Sequence, residues 1–133
     1  MLARILVIED NPANMELARY LLAFSGYTVL QACDGAQGLE EAVQHRPDLI
    51  ICDLQMPLRD GYQVLAQLRG NPATAGFVIV AVTAFSMPND RQMVMTAGFD
   101  GYLSKPIEPE SFVGQIEAFL PAELRAPPRG SNN

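Results

Sequence analysis

Glu9-Asp10, Asp53, Thr83 and Lys105 are the residues of this 133-residue chain best placed to do chemistry, because each closes a short apolar run. Ile5-Leu-Val-Ile8 runs into Glu9-Asp10, and Leu49-Ile-Ile-Cys52 into Asp53. Val78-Ile-Val-Ala-Val82 runs into Thr83, and Tyr102-Leu-Ser104 into Lys105-Pro106. Runs of this kind read as strands. In an open parallel α/β sheet the carboxyl ends of the strands share one rim, and ligands bind in the crevice outside it. Three carboxylates, a hydroxyl and an ammonium would then converge. Such a set can hold a divalent cation, offer a carboxylate nucleophile and neutralise a phosphoryl group.

Taken alone, each residue has a plainer reading. Two adjacent acids repel each other, so Glu9-Asp10 costs energy unless a cation sits beside them. The alternative is a solvated strand end that adds negative charge at the start of the next helix. A third carboxylate on a neighbouring strand, Asp53, favours a hard cation such as Mg²⁺, which takes oxygen ligands. Asp53 can attack phosphorus and hold it as an acyl phosphate, or it can cap a loop. Thr83 can donate to a phosphoryl oxygen, with small Ala84 leaving room, although a strand-end threonine alone is usually structural. Lys105 can neutralise phosphoryl oxygens, although a lone strand-end lysine is usually solvated. The coincidence outweighs these readings: each residue falls at the same end of a different strand.

The elements that must position them alternate strand and helix five times. Strands are expected at about 4–9, 27–32, 48–53, 77–82 and 101–103. Asn11-Pro12 reads as a helix N-cap with proline in the first turn. Helix one should bury Met15, Ala18, Leu21, Leu22 and Phe24, and Gly26 should stop it. Helix two should turn Ala36, Leu39, Ala42 and Val43 inward, with Pro47 at its end. Helix three should bury Val64, Leu65 and Leu68. Ser86-Met-Pro88 opens helix four and Gly98 closes it. Pro109-Glu110 opens helix five, whose buried stripe is Phe112, Val113, Ile116, Phe119 and Leu120. Strands one, three and four are continuously apolar rather than alternating, the mark of a parallel sheet covered on both faces. The expectation is an α/β, doubly wound, flavodoxin-like (βα)5 sheet of order 2-1-3-4-5 with right-handed crossovers. The domain should span residues 1–120, and 121–133, rich in Pro and ending Ser-Asn-Asn, should be a frayed tail.

Composition narrows the classes. The length fits one domain, long enough to bury a core without disulfides. A net charge of −6 and a pI near 4.6 make a poor partner for nucleic acid. Lys105 is the only lysine among nine basic residues. Cys33 and Cys52, without a CxxC spacing, read as reduced packing cysteines. No signal peptide or membrane-length apolar run is visible, so a cytoplasmic protein is expected.

The motifs Ile8-Glu-Asp-Asn11, Asp53-Leu-Gln-Met-Pro-Leu-Arg-Asp-Gly61, Val82-Thr-Ala84 and Ser104-Lys-Pro106 resemble the receiver domains of bacterial two-component response regulators, the CheY-like superfamily, over about residues 3–120. Asn14 and Val82-Thr-Ala-Phe-Ser-Met87 are similar to single-domain cell-polarity and cell-division regulators and to hybrid-kinase receivers. The resemblance implies that Asp53 is the phosphoacceptor, fed by a sensor histidine kinase or a histidine phosphotransfer protein. It implies Mg²⁺ (or Mn²⁺) on Glu9, Asp10, Asp53 and the backbone carbonyl of Gln55. Thr83, Ala84 and Lys105 would bind the phosphoryl group, Tyr102 would be the switch aromatic, and the Lys105-Pro106 bond would be cis. Output would pass to a target protein through helix four, strand five and helix five, including Met87, Met93, Met95, Phe99 and Tyr102. Several of those methionines could equally be core. A phosphorylation-dependent dimer is a further implication. The resemblance describes a signalling switch that assists its own phosphorylation and dephosphorylation, not an enzyme, with neither nucleic acid nor membrane as partner.

Two features depart from the commonest pattern. Glu9 stands for the more usual Asp, and Gln55 and Phe85 occupy variable positions two residues after Asp53 and Thr83. Bulky Phe85 is expected to hinder the hydrolytic water and lengthen the phosphorylated state. A haloacid-dehalogenase-like phosphatase would want Asp where Gln55 stands, and a cap insertion that has no room here. A nucleotide binder would need a phosphate-cradling loop, which Glu9-Asp10 opposes. The same fold as a phosphate-independent binding module would normally lack one of these acids or the lysine. Met1 lies just before the first strand, so a stand-alone receiver is expected, with the excised receiver of a hybrid kinase as the alternative.

Overall fold

In each apolar strand, successive side chains point to opposite faces, so a strand buried on both sides feeds two cores. A computed structural model describes residues 2–56, 60–84 and 88–127. The order is β1 (Arg4–Ile8), α1 (Pro12–Phe24), β2 (Thr28–Ala32), α2 (Gly35–His45), β3 (Leu49–Asp53), α3 (Gly61–Arg69), β4 (Ile79–Thr83), α4 (Pro88–Ala97), β5 (Gly101–Ser104) and α5 (Phe112–Glu117), then a 3₁₀ turn at Ala122–Leu124. The strands form one parallel sheet of order β2-β1-β3-β4-β5. This is the expected order.

Ile5, Val7, Leu49, Ile51, Val80 and Val82 pack under Met15, Ala18 and Leu22 of α1 and Phe112 and Ile116 of α5. Leu6, Ile8, Ile50, Cys52, Ile79 and Ala81 pack under α2, α3 and α4 on the other face. Fully burying a Val, Leu or Ile side chain contributes about 1.5–3 kcal/mol relative to exposure, so the three central strands anchor the rim residues that follow them. No helix of the described residues is long and apolar enough to cross a membrane.

Several expected placements change. Phe24 is 58% exposed and stacks on Tyr20 instead of packing inward. At about 100° per residue it lies half a turn around the helix from Met15. In α2 the buried face is Gly35, Gly38 and Ala42, which leaves Ala36 and Val43 outside. The helix lies close to β1, where a Cβ on Gly38 would meet Ile8 Cδ1 at 2.5 Å. That close approach sets the rotation of the helix. α2 ends at His45, with Arg46 in the left-handed region, before Pro47. α5 starts at Phe112, because residues 109–111 form a turn first. Cys33 is exposed just past the edge strand, while Cys52 is buried.

Residues 121–127 are docked rather than frayed. The Leu124 carbonyl accepts the Ala3 N–H at 3.0 Å, and the Ala126 N–H donates to Tyr27 Oη at 2.8 Å. Residues 57–59, 85–87 and 128–133 lie outside the described residues, and with them Met87 and the expectation for Phe85.

Candidate functional site

The strand register fixes the rim. Asp53 is the last residue of β3, paired with Val82, and Thr83 ends β4 opposite Ser104. Glu9 leaves β1 with its N–H still donating to the Ala32 carbonyl at 3.0 Å. The Lys105 N–H donates to the Thr83 carbonyl at 2.8 Å, so the lysine is tied to β4 before its side chain begins. The Lys105-Pro106 bond is cis. α3 starts almost on top of the Asp53 backbone. A Cβ on Gly61 would sit 2.7 Å from the Asp53 carbonyl oxygen, so only glycine permits this approach. Asp60 and Gln63 close that helix start with a capping box.

Within this frame the side chains converge. Lys105 Nζ lies 3.1 Å from Asp53 Oδ2 and 3.7 Å from Glu9 Oε1. Carboxylate oxygens of Glu9, Asp10 and Asp53 all lie within 4.8 Å of one another. Glu9 and Asp53 are buried. Glu9 Oε2 accepts the Asn11 N–H at 3.1 Å, and Asp53 Oδ1 accepts the Gln55 N–H at 3.0 Å. Asn11 also caps α1 through the Asn14 N–H, so the strand-to-helix turn carrying both acids is rigid.

The electrostatics are strained in one direction. Burial pushes the Glu9 carboxyl up from its ordinary 4.5 to about 7. A hydrogen bond to Asp53, which needs a proton on one of the two, adds to the rise, and Lys105 only partly opposes it. Three carboxylates thus face one ammonium. The donors are all oxygens, without imidazole or thiolate, which suits Mg²⁺ or Mn²⁺ and not a soft metal. Cys52 lies behind the acids, but burial first, and then their charge, hold its thiol protonated. The residues present therefore fit a hard divalent cation, with Glu9, Asp10, Asp53 and the Gln55 carbonyl as the candidate ligands.

Thr83 is fully buried, and Gln55 bridges to it: Gln55 Nε2 donates to Thr83 Oγ1 at 2.7 Å, and Gln55 Oε1 accepts the Ala84 N–H at 3.3 Å. The sequence reading used only the carbonyl of Gln55 and missed its side chain. The available signal was a residue with both a donor and an acceptor one loop step from the nucleophile. The Tyr102 ring is half-buried, and its hydroxyl accepts from Ser104 Oγ at 3.2 Å. It shares a recess with Arg91, Lys105, Glu108 and Gln115.

The expected output face is only partly as read. Phe99 is buried and packs edge-on against Tyr62 of α3, because Gly98 in the left-handed region turns the chain back under the helix. Met93 is exposed but lines a groove with Tyr62, on the α3 side of α4. Met95, also exposed, lies one turn after Arg91 and shares its side of the helix.

Residues 5–117 match the family model described as the response regulator receiver domain. The chain belongs to that family. It is 36% identical over 116 residues to the polar-differentiation response regulator DivK of Brucella anthropi, covering 87% of this chain and 94% of the relative. DivK of Brucella abortus is 35% identical over 120 residues, covering 90% and 98%. Among solved structures, a chemotaxis response regulator of Vibrio cholerae superposes with a TM-score of 0.85 at 28% identity, covering 90% of this chain and all of that one. The receiver domain of a Pseudomonas aeruginosa sensor histidine kinase, solved with a magnesium ion coordinated in its active site cleft, gives a TM-score of 0.80 at 30% identity, covering 90% and 98%.

Proposed function

We propose that this receiver is a phosphorylation-activated switch in which Asp53 takes a phosphoryl group from a histidine kinase or a histidine phosphotransfer protein. An Asp53 oxygen forms the P–O bond as the P–N bond of the phosphohistidine breaks, and the imidazole nitrogen keeps the electron pair. Glu9, Asp10, Asp53 and the Gln55 carbonyl hold Mg²⁺, which when bound neutralises the carboxylates and the phosphoryl oxygens. Lys105 and the Ala84 N–H receive the phosphoryl oxygens, with the Thr83 hydroxyl moving to join them. The Mg²⁺-bound receiver of the Pseudomonas kinase supports the choice of ion.

The observation that carries the reading is Lys105 Nζ 3.1 Å from the Asp53 carboxylate, with two further carboxylates within 4.8 Å. The added phosphoryl charge is satisfied only when Thr83 and Lys105 close on it, which biases an equilibrium between two conformations. Tyr102 reports that shift to a target protein on the face formed by α4, β5 and α5, where Arg91 shares its recess. The match to nearly the whole of the polar-differentiation relatives supports a polarity-type target protein.

Intact mass after incubation with Mg²⁺ and acetyl phosphate tests this. A phosphoryl-sized increment that disappears with EDTA and in Asp53→Ala is expected. An increment that persists in Asp53→Ala, or none in the folded wild type, overturns it.

A further inference from the structure

The side chain of Gln55 has no part in phosphoryl transfer as derived above, yet it touches the groups that transfer needs. Its amide bridges Thr83 Oγ1 at 2.7 Å and the Ala84 N–H at 3.3 Å, while its own N–H holds Asp53 Oδ1 at 3.0 Å. The Ala84 N–H carries one proton, so Gln55 Oε1 and a phosphoryl oxygen compete for it. The Thr83 hydroxyl keeps its proton, but the Gln55 NH₂ fixes where its oxygen lies. The amide oxygen thus takes the Ala84 donor that a phosphoryl oxygen would use, while the amide nitrogen holds the Thr83 oxygen.

We propose that the Gln55 side chain is a latch on the resting state, which must be displaced before Thr83 and Ala84 can hold the phosphoryl group. The proposal rests on the assignment of Asp53 as phosphoacceptor. Gln55 is a positioning residue here, and its side chain opposes the step that its backbone assists. The amide has somewhere to go: Gln55 and Thr83 border a cavity of about 370 Å³, also lined by Leu54, Tyr62, Met93 and Val94. Asp60 and Asp90 border the same cavity, so a displaced amide has carboxylate acceptors within its walls. The same geometry separates a latch from a plug, because methionine has the reach and bulk of glutamine without its hydrogen bonds.

The test compares wild type, Gln55→Met and Gln55→Ala with acetyl phosphate at saturating Mg²⁺, fold being checked by circular dichroism. Initial rates come from intact mass, and the Ala84 amide is followed by ¹⁵N NMR. Both variants should phosphorylate faster, on the order of tenfold for two lost hydrogen bonds. In both, the resting Ala84 resonance should move towards its phosphorylated position. A Met variant that behaves as wild type while the Ala variant is faster makes Gln55 a plug and overturns the latch. So do variants that are unchanged or slower. Wild type that takes up no phosphoryl group overturns the Asp53 reading and the latch together, whereas wild type phosphorylated as fast as the variants overturns the latch alone.

Discussion

The two rims of the sheet use the same residue type in opposite ways, and β3 has an aspartate next to each. Asp48, just before the strand, accepts the Arg4 N–H at 2.8 Å. Asp100, just before β5, accepts the Ile79 N–H at 2.9 Å and meets Arg69 Nη2 at 2.8 Å. Each carboxylate at that rim has its own donor. At the other rim Glu9, Asp10 and Asp53 cluster, Lys105 meets only Glu9 and Asp53, and burial together with the neighbouring Asp53 raises the Glu9 pKa. An aspartate at a strand boundary is therefore not by itself a functional signal. Three clustered carboxylates with one cation beside them mark the rim suited to a divalent ion.

The largest effects should fall at opposite rims for opposite properties. Asp53→Ala should abolish phosphoryl incorporation, while its unfolding free energy in urea without Mg²⁺ should not fall below wild type, because like charge is removed. Asp48→Ala should incorporate phosphate normally and lose about 1 kcal/mol of stability. A stability loss in Asp53→Ala, or an incorporation loss in Asp48→Ala, would collapse the contrast. Arg69→Ala sharpens it. Arg69 also donates to the carbonyls of Ala75, Phe77 and Gly98. Its loss should cost about 2 kcal/mol, part of the bonding being recovered by water, with incorporation intact.

Next in size is the pH response of Glu9. Its folded pKa lies above its ordinary 4.5, so between about 7 and 4.5 the folded state binds the proton more tightly than the unfolded one. Without Mg²⁺, stability relative to Glu9→Gln should therefore rise as pH falls through that window. Mg²⁺ binds the ionised carboxylates, so its affinity should weaken below pH 7, by up to about tenfold per unit. Isothermal titration at three pH values checks this, and a flat affinity contradicts it. The smallest effect belongs to Tyr27→Phe. Tyr27 Oη donates to Glu117 Oε2 at 2.5 Å and accepts the Ala126 N–H. Its loss should cost about 1 kcal/mol and speed hydrogen exchange at Ala126, leaving incorporation unchanged.

The sheet was legible because continuous apolar runs in β1, β3 and β4 leave few alternatives to buried parallel strands, and their ends place Asp53, Thr83 and Lys105. What was not legible depended on rotation or on distant partners. Phe24 and Val43 are apolar and helical, but helix rotation against the sheet decides which side they take. Phe99 turns inward because of the backbone at Gly98. Residues 121–127 look frayed by composition, yet Tyr27 and Ala3, about a hundred positions earlier, hold them. The Gln55 side chain was missed because its two partners lie on β4 and just beyond it, across the rim.

The most direct measurement is borohydride trapping of the protein after acetyl phosphate and Mg²⁺, with the modified residue mapped by peptide mass spectrometry. An acyl phosphate is reduced to the alcohol, so the account predicts homoserine at position 53 and no other. Homoserine at Asp10, Asp48 or Asp60, or label that survives as a phosphate on a hydroxyl residue, would contradict it.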